Sequence, residues 1–262
     1  QAEDTKIPLL ERIRFLSIVS SNLDEFFEIR MAGIKEQLLI NPIKMGSDGR
    51  TITASYDLVS QHAHALVDRQ YELYQQILIP QLRKAGIEFL LPANWTHEQQ
   101  VWAEDFFKEE LLPLLTPIAL DPVHPFPRVI NKSLNFIVQL DGKDAFGRKA
   151  HLAVVQAPRA LPRLVSMPKR LSGNKEIFVF LSSFIQAFVH QLFPGMKVLG
   201  CFQFRVTRNS DLFVSDDEMT DLRQALQGEL PTRHLGDAVR LETNINIPSS
   251  LLERLCKENN LD

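Results

Sequence analysis

The spacing of apolar residues changes after the first third of this chain, from a helical period to one near two, and that change limits what it can fold into. Up to Leu112 they recur at helical intervals: Phe15, Leu16, Val19 and Leu23, then Phe26, Phe27, Ile29, Met31 and Ile34. Such spacing puts them on one face of a helix. From Leu134 to Leu140 apolar and polar residues follow a period near two, as a strand requires. Helices followed by a mixed set of strands and helices predict an α+β fold in two domains. We place a helical N-terminal domain at 1–86 and a mixed α/β domain at 87–262. The 262 residues suffice for two ordinary domains.

Local signals fill in the elements. Pro8 suits the first position of a helix. Residues 41–52, with Pro42, Gly46, Ser47 and Gly49, read as a loop. A long helix is expected over 54–85, ended by Gly86 and kinked by Pro80. Thr96 should cap a further helix carrying Phe106, Leu111 and Leu112. Strands are expected at 134–140 and 149–156 around a turn at 141–147. A strand at 177–180 should lead into a helix at 182–192, stopped by Pro194 and Gly195. A strand at 198–206 should return through 208–211, followed by a helix at 216–227 and a strand at 238–244. Pro248 should open a last helix at 249–258.

One stretch departs from plain amphipathic spacing. Ser20, Ser21 and Asn22 interrupt the apolar face, and Asp24 and Glu25 follow at once. Ser and Asn favour helix starts, because their side chains hold free backbone N–H groups. This predicts two helices meeting at 20–22, with Asp24 and Glu25 in the first turn of the second. Such a turn has spare donors for a ligand. A bent hairpin that only packs is the plainer alternative.

Composition narrows the function. The formal net charge is −3, so no overall field marks a nucleic-acid binder. Cys201 and Cys256 match no metal or redox spacing and are expected as reduced, partly buried thiols. No apolar run approaches the ~18–20 residues that a membrane span needs. Gly-rich phosphate loops, Cys/His metal boxes and Ser nucleophile elbows are absent. His62 and His64, two apart on a helix, point to different faces and do not share a metal. His124, between prolines in the stiff segment TPIALDPVHPFPR at 116–128, is expected to be structural.

Two cationic features remain. Over 142–175, Lys143, Arg148, Lys149, Arg159, Arg163, Lys169, Arg170 and Lys175 face only Asp144. This is either a solvated linker or a surface for anions. Arg205 and Arg208, near a strand end, are candidates to clamp a phosphate. Ion pairs to Asp211 or Asp216 are the alternative.

Four segments in order now point to a family. PLLERxxFLxIxSSNLDEFF at 8–27 resembles the N-terminal region of the long-chain bacterial polyphosphate kinases. LTPIALDPVHPFP at 115–127 resembles the start of that family's second, "head" domain. FPGMKVLGCFQFRVTRNSDL at 193–212 and GDAVRLE at 236–242 are similar to later parts of it. The resemblance implies reversible transfer of the terminal phosphate of ATP to polyphosphate through a phosphohistidine. In the family, the nucleophilic histidines and the Mg2+ ligands lie in two C-terminal phospholipase-D-like domains. This chain has no H-x-K, so the resemblance implies no catalytic residue and no metal ligand within it. Both ends are expected to be cuts in a longer chain.

The same resemblance implies that Asn22 lies against the adenine of ATP. An amide suits that edge because it both donates and accepts. It implies a homodimer or higher homo-oligomer built through the head, in the cytoplasm or peripheral to the inner membrane. Polyphosphate contact is expected from Arg148, Lys149, Arg159, Arg163, Arg205 and Arg208. A non-catalytic self-association module, or a polyanion-binding module, is the competing reading.

Overall fold

Thr51 and Thr96 show how local chemistry starts the helices. The Thr51 hydroxyl accepts from the Ala54 N–H and opens a helix at Ile52. Thr96 forms a reciprocal capping box with Gln99. The computed structural model describes residues 1–46, 48–120, 125–143, 151–210 and 236–261. Its helices are α1 (Leu9–Glu25), α2 (Ala32–Ile40), α3 (Ile52–Glu72), α4 (Ile79–Lys84) and α5 (His97–Phe106). They continue with α6 (Lys169–Ser172), α7 (Leu181–Phe188) and α8 (Ser249–Glu258). Wide π-helical turns at Phe26–Met31, Leu73–Leu78 and Phe107–Leu111 join or extend several of them.

The expected break at 20–22 does not form. α1 runs straight through Ser20, Ser21 and Asn22. Hydroxyl groups can bond back to the preceding turn, which lets serine sit inside a helix. Ser17 Oγ donates to the Ile13 carbonyl at 3.0 Å and Ser21 Oγ to the Ser17 carbonyl at 3.3 Å. The irregularity comes later, as the π turn at Phe26–Met31. Asp24 and Glu25 therefore lie at the end of α1, not at the start of a second helix. Pro8 is the capping residue before α1 and not its first member.

The helix expected over 54–85 is α3, a π turn and α4 in succession. Pro80 lies just after the wide turn. A proline lacks the N–H of a regular turn, and a π turn is one way to absorb that loss. Gly86, at φ +84°, takes the left-handed conformation that ends a helix.

The strands form two sheets. One has the order β2-β4-β3-β7-β8, from Thr116–Ala119, Leu152–Gln156, Asn135–Gly142, Met196–Arg208 and Ala238–Thr243. Its β2/β4, β3/β4 and β3/β7 pairs are antiparallel. β2 is an edge strand, which is where Pro117 loses no ladder bond. The other sheet has the order β1-β6-β5, from Ile87–Phe89, Glu176–Phe180 and Leu164–Ser166. Of the turn expected at 141–147, Asp141 and Gly142 belong to β3 and 144–147 lie outside the described residues, as do the helix at 216–227 and His124.

The chain divides into two compact units. The first is Gln1–Lys84 with Thr207–Arg240 and Leu261; the second is Ala85–Val206 with Leu241–Asn260. Within the second, α5 and α7 cover a sheet core that includes Phe136, Val138 and Val155. The Phe106 and Phe184 rings lie 4.8 Å apart, and Trp95 stacks on Phe188 at 6.1 Å. Within the first, Leu23, Phe27, Met31 and Ala63 form one cluster and Leu16, Leu73 and Leu78 another. Buried Arg12 ties this unit together, donating to the Ala2 carbonyl at 2.7 Å and to Gln81 Oε1 at 2.9 Å.

Candidate functional site

The apolar spacing of α1 fixes which of its side chains meet solvent. Leu16 and Leu23 point inward, so Arg14, Ile18, Ser21, Asn22 and Glu25 are left exposed on the opposite side. The Asn22 carbonyl accepts from the Phe26 N–H. Its carboxamide has no hydrogen-bond partner among the described residues. Asn22 is thus a side chain presented by the last turn of α1, where the helix runs on into the π turn. Any ligand there meets side chains and not the spare N–H groups of a helix start. Ser20 Oγ is held by the Gln70 amide of α3, which also donates to the Leu16 carbonyl at 3.2 Å.

The inner side of the same region holds a feature no sequence pattern announced. Ser210 donates its N–H to the Glu28 carbonyl at 3.2 Å. Asn209 Nδ2 donates to Glu36 Oε1 at 2.6 Å. Arg240 lies over the Phe27 ring, 4.6 Å from its centre. Both partner stretches, 207–210 and 236–240, belong to the first unit. The return after β7 was legible as a turn signal, but its destination lies more than 170 residues back in the chain.

The cationic stretch 142–175 is less uniform than its composition. Arg148 and Lys149 lie outside the described residues. Lys169 pairs with Glu176, and Lys175 with Glu88 at 3.0 Å. These partners correct the expectation that only Asp144 opposes the stretch. Arg159 donates to the Asn131 carbonyl. Arg163, largely exposed, is held below the usual guanidinium range by partial burial first and by repulsion from Arg159 second. Two cations close enough to repel, in a surface stretch, favour an anion between or beside them.

Arg205 and Arg208 are engaged within the protein. Arg205 Nε donates to Glu242 Oε2 at 2.6 Å, a partner far along the chain. Arg208 is only 4% exposed, and its Nη1 donates to the Gly236 carbonyl at 3.0 Å. The expected partners Asp211 and Asp216 lie outside the described residues. An open clamp for phosphate is not what this pair forms.

His62 is exposed on α3, and His64 Nδ1 lies 2.8 Å from the Ser60 carbonyl. Among the described residues no group of three or more His, Cys, Asp or Glu could hold a metal ion. No helix among them is long and apolar enough to cross a membrane. Both cysteines are free thiols, and burial pushes the Cys201 thiol up to about 12.

Comparison with known proteins accounts for the whole chain. Residues 1–90 match the polyphosphate kinase N-terminal domain and residues 98–262 the polyphosphate kinase middle domain. The polyphosphate kinase of Burkholderia ambifaria (strain MC40-6) is 56% identical over 262 residues, 100% of this chain and 38% of that protein. That of Burkholderia multivorans is 57% identical over 261 residues, with the same shares covered. The crystal structure of polyphosphate kinase from Porphyromonas gingivalis superposes with a TM-score of 0.74 at 23% identity. It covers 100% of this chain and 35% of that one, and at such identity it speaks to the fold alone. The chain spans about 38% of the length of the curated relatives it matches.

Proposed function

The chain belongs to the polyphosphate kinase family, and from that premise we propose that it supplies the nucleotide-facing helix and the head of a polyphosphate kinase. The whole enzyme would transfer the terminal phosphate of ATP reversibly to polyphosphate, through a phosphohistidine carried on other domains. Asn22 would contact the adenine. The observation that carries this reading is the exposed carboxamide of Asn22 with no hydrogen-bond partner among the described residues. Ile18, one turn earlier and also exposed, offers an apolar surface to a flat base. Magnesium would neutralise phosphate charge when bound. In this reading the ion is held by the other domains of the enzyme. A cytoplasmic location and assembly through the head belong to the same reading.

The test is kinetic. An adenine contact is remote from the reacting phosphate and stabilises ground and transition states alike. Asn22→Ala in the full-length enzyme should raise the KM for ATP about fivefold with little change in kcat. An unchanged KM for ATP removes the assignment. The chain alone should make no polyphosphate from ATP, and histidine-dependent turnover by it would overturn that.

A second reading, polyanion contact by the head, is favoured by Arg159 and Arg163. Polyphosphate carries roughly one charge per unit, so a cationic surface raises its local concentration. Reversing both arginines to Glu should weaken polyphosphate binding and flatten its salt dependence. Unchanged binding at low salt makes the pair a solvated surface only.

A further inference from the structure

We infer that the two arms 207–210 and 236–240 form a positioning element for α1, with Arg240 as its principal residue; this rests on the Asn22 reading. Asn22 lies on the outer side of α1, while Leu23 and Phe27 lie on the inner side. Val239 packs against the Leu23, Phe27 and Met31 cluster. Arg240 covers the Phe27 ring. Ser210 takes the Glu28 carbonyl and Asn209 takes Glu36. Residues Phe27 and Glu28 belong to the π turn Phe26–Met31, and Glu36 to α2.

The two arms are also bound to each other. The Asn209 N–H donates to the Asp237 carbonyl at 2.8 Å, and Arg208 Nη1 to the Gly236 carbonyl. A Cβ at Gly236 would fall 2.1 Å from the Asn209 carbonyl oxygen, so this approach needs glycine. The arms therefore act as one body against the π turn. A π turn holds an extra residue and changes the angular register of what flanks it. Phe26 begins that turn and donates its N–H to the Asn22 carbonyl. Holding the turn fixes the angle at which Asn22 is presented. Arg240 touches no substrate in this scheme; it acts through Phe27 on Asn22.

The experiment uses the full-length enzyme with Arg240→Ala, Arg240→Lys, Asn22→Ala and the Arg240→Ala/Asn22→Ala pair. Arg240→Ala should raise the KM for ATP about two- to fivefold, the scale of a lost cation–π contact. The kcat and the KM for polyphosphate should hold. Arg240→Lys, which keeps a cation over the ring, should recover part of the loss. In the double variant the KM should be no higher than in Asn22→Ala alone, because both changes act at one contact. A purely structural role does not produce that non-additivity. If Arg240→Ala does not fold, Asn209→Ala, which removes the side-chain bond to Glu36, takes its place in the same cycle. Additive effects overturn the inference, as does an unchanged KM for ATP in Arg240→Ala when Asn22→Ala raises it. If Asn22→Ala itself leaves that KM unchanged, the adenine reading fails and takes the inference with it.

Discussion

The sheet unit and the helical unit bury their apolar side chains in different ways. In the sheet unit Phe107, Phe136 and Phe184 are fully buried within one continuous cluster. A sheet offers a broad face, and α5 and α7 cover it together. In the helical unit, among the described residues, the apolar side chains gather in smaller clusters along helix seams. A helix pair covers only a stripe of each partner. Leu39 and Ile40 at the end of α2 remain 87% and 84% exposed. The contrast is one of packing: a broad, continuous core in the sheet unit and narrow seams in the helical unit.

The sharpest way to break that contrast is to cut into both cores. Phe184→Ala removes a ring that packs against Trp95, Trp102 and Phe106. It should cost about 3–5 kcal/mol of stability, read by denaturant melts. Leu78→Ala, also fully buried, sits in a small cluster that can close over the gap. Its cost should be nearer ~2–3 kcal/mol. A Leu78→Ala loss equal to or above that of Phe184→Ala would show that the helical unit is packed as tightly as the sheet.

A third probe is chemical. Cys201 packs at the margin of the sheet core, and burial raises its thiol from an ordinary value near 9 to about 12. The unfolded chain loses this proton first as pH rises. The folded state then holds more protons than the unfolded one, so stability falls with pH. The contribution is fully present below about pH 9 and drains away between about 9 and 12. At pH 10 the loss is on the order of 1 kcal/mol. Melts of the parent and of Cys201→Ala at pH 8 and pH 10 isolate it. The parent should lose more stability over that step, and equal losses would mean that the thiol is not sheltered.

Much of the architecture was legible because its causes are local. The Thr96 cap, the strand period of β3, the stop at Pro194 and Gly195 and the start of α8 at Pro248 each depend on neighbouring residues. What was illegible depends on distant ones. β1 and β5 are three residues each, too short for a period to register. Glu88 and Glu242 neutralise cations far from them in sequence. The π turns leave no compositional mark. At the candidate site, Asn22 came to notice through its motif and its polar neighbours. Its setting was misjudged, because α1 continues through 20–22, where Ser21 bonds back to the preceding turn instead of capping a new helix.

That correction sets the smallest expected effect. A capping Asn would make Asn22→Ala destabilising by about 0.5–2 kcal/mol. Asn22 instead sits inside α1, exposed, with no side-chain hydrogen bond to lose among the described residues. Alanine is the better helix former at such a position by a few tenths of a kcal/mol. Asn22→Ala should therefore leave stability unchanged or raise it by up to ~0.5 kcal/mol, while weakening the use of ATP. The two readouts must part: a melt that does not fall, and a KM for ATP that rises. A loss of stability above about 1 kcal/mol would mean that Asn22 carries structure and that any kinetic change could follow from unfolding. Stability preserved with a raised KM for ATP is the pattern of a side chain kept for a ligand.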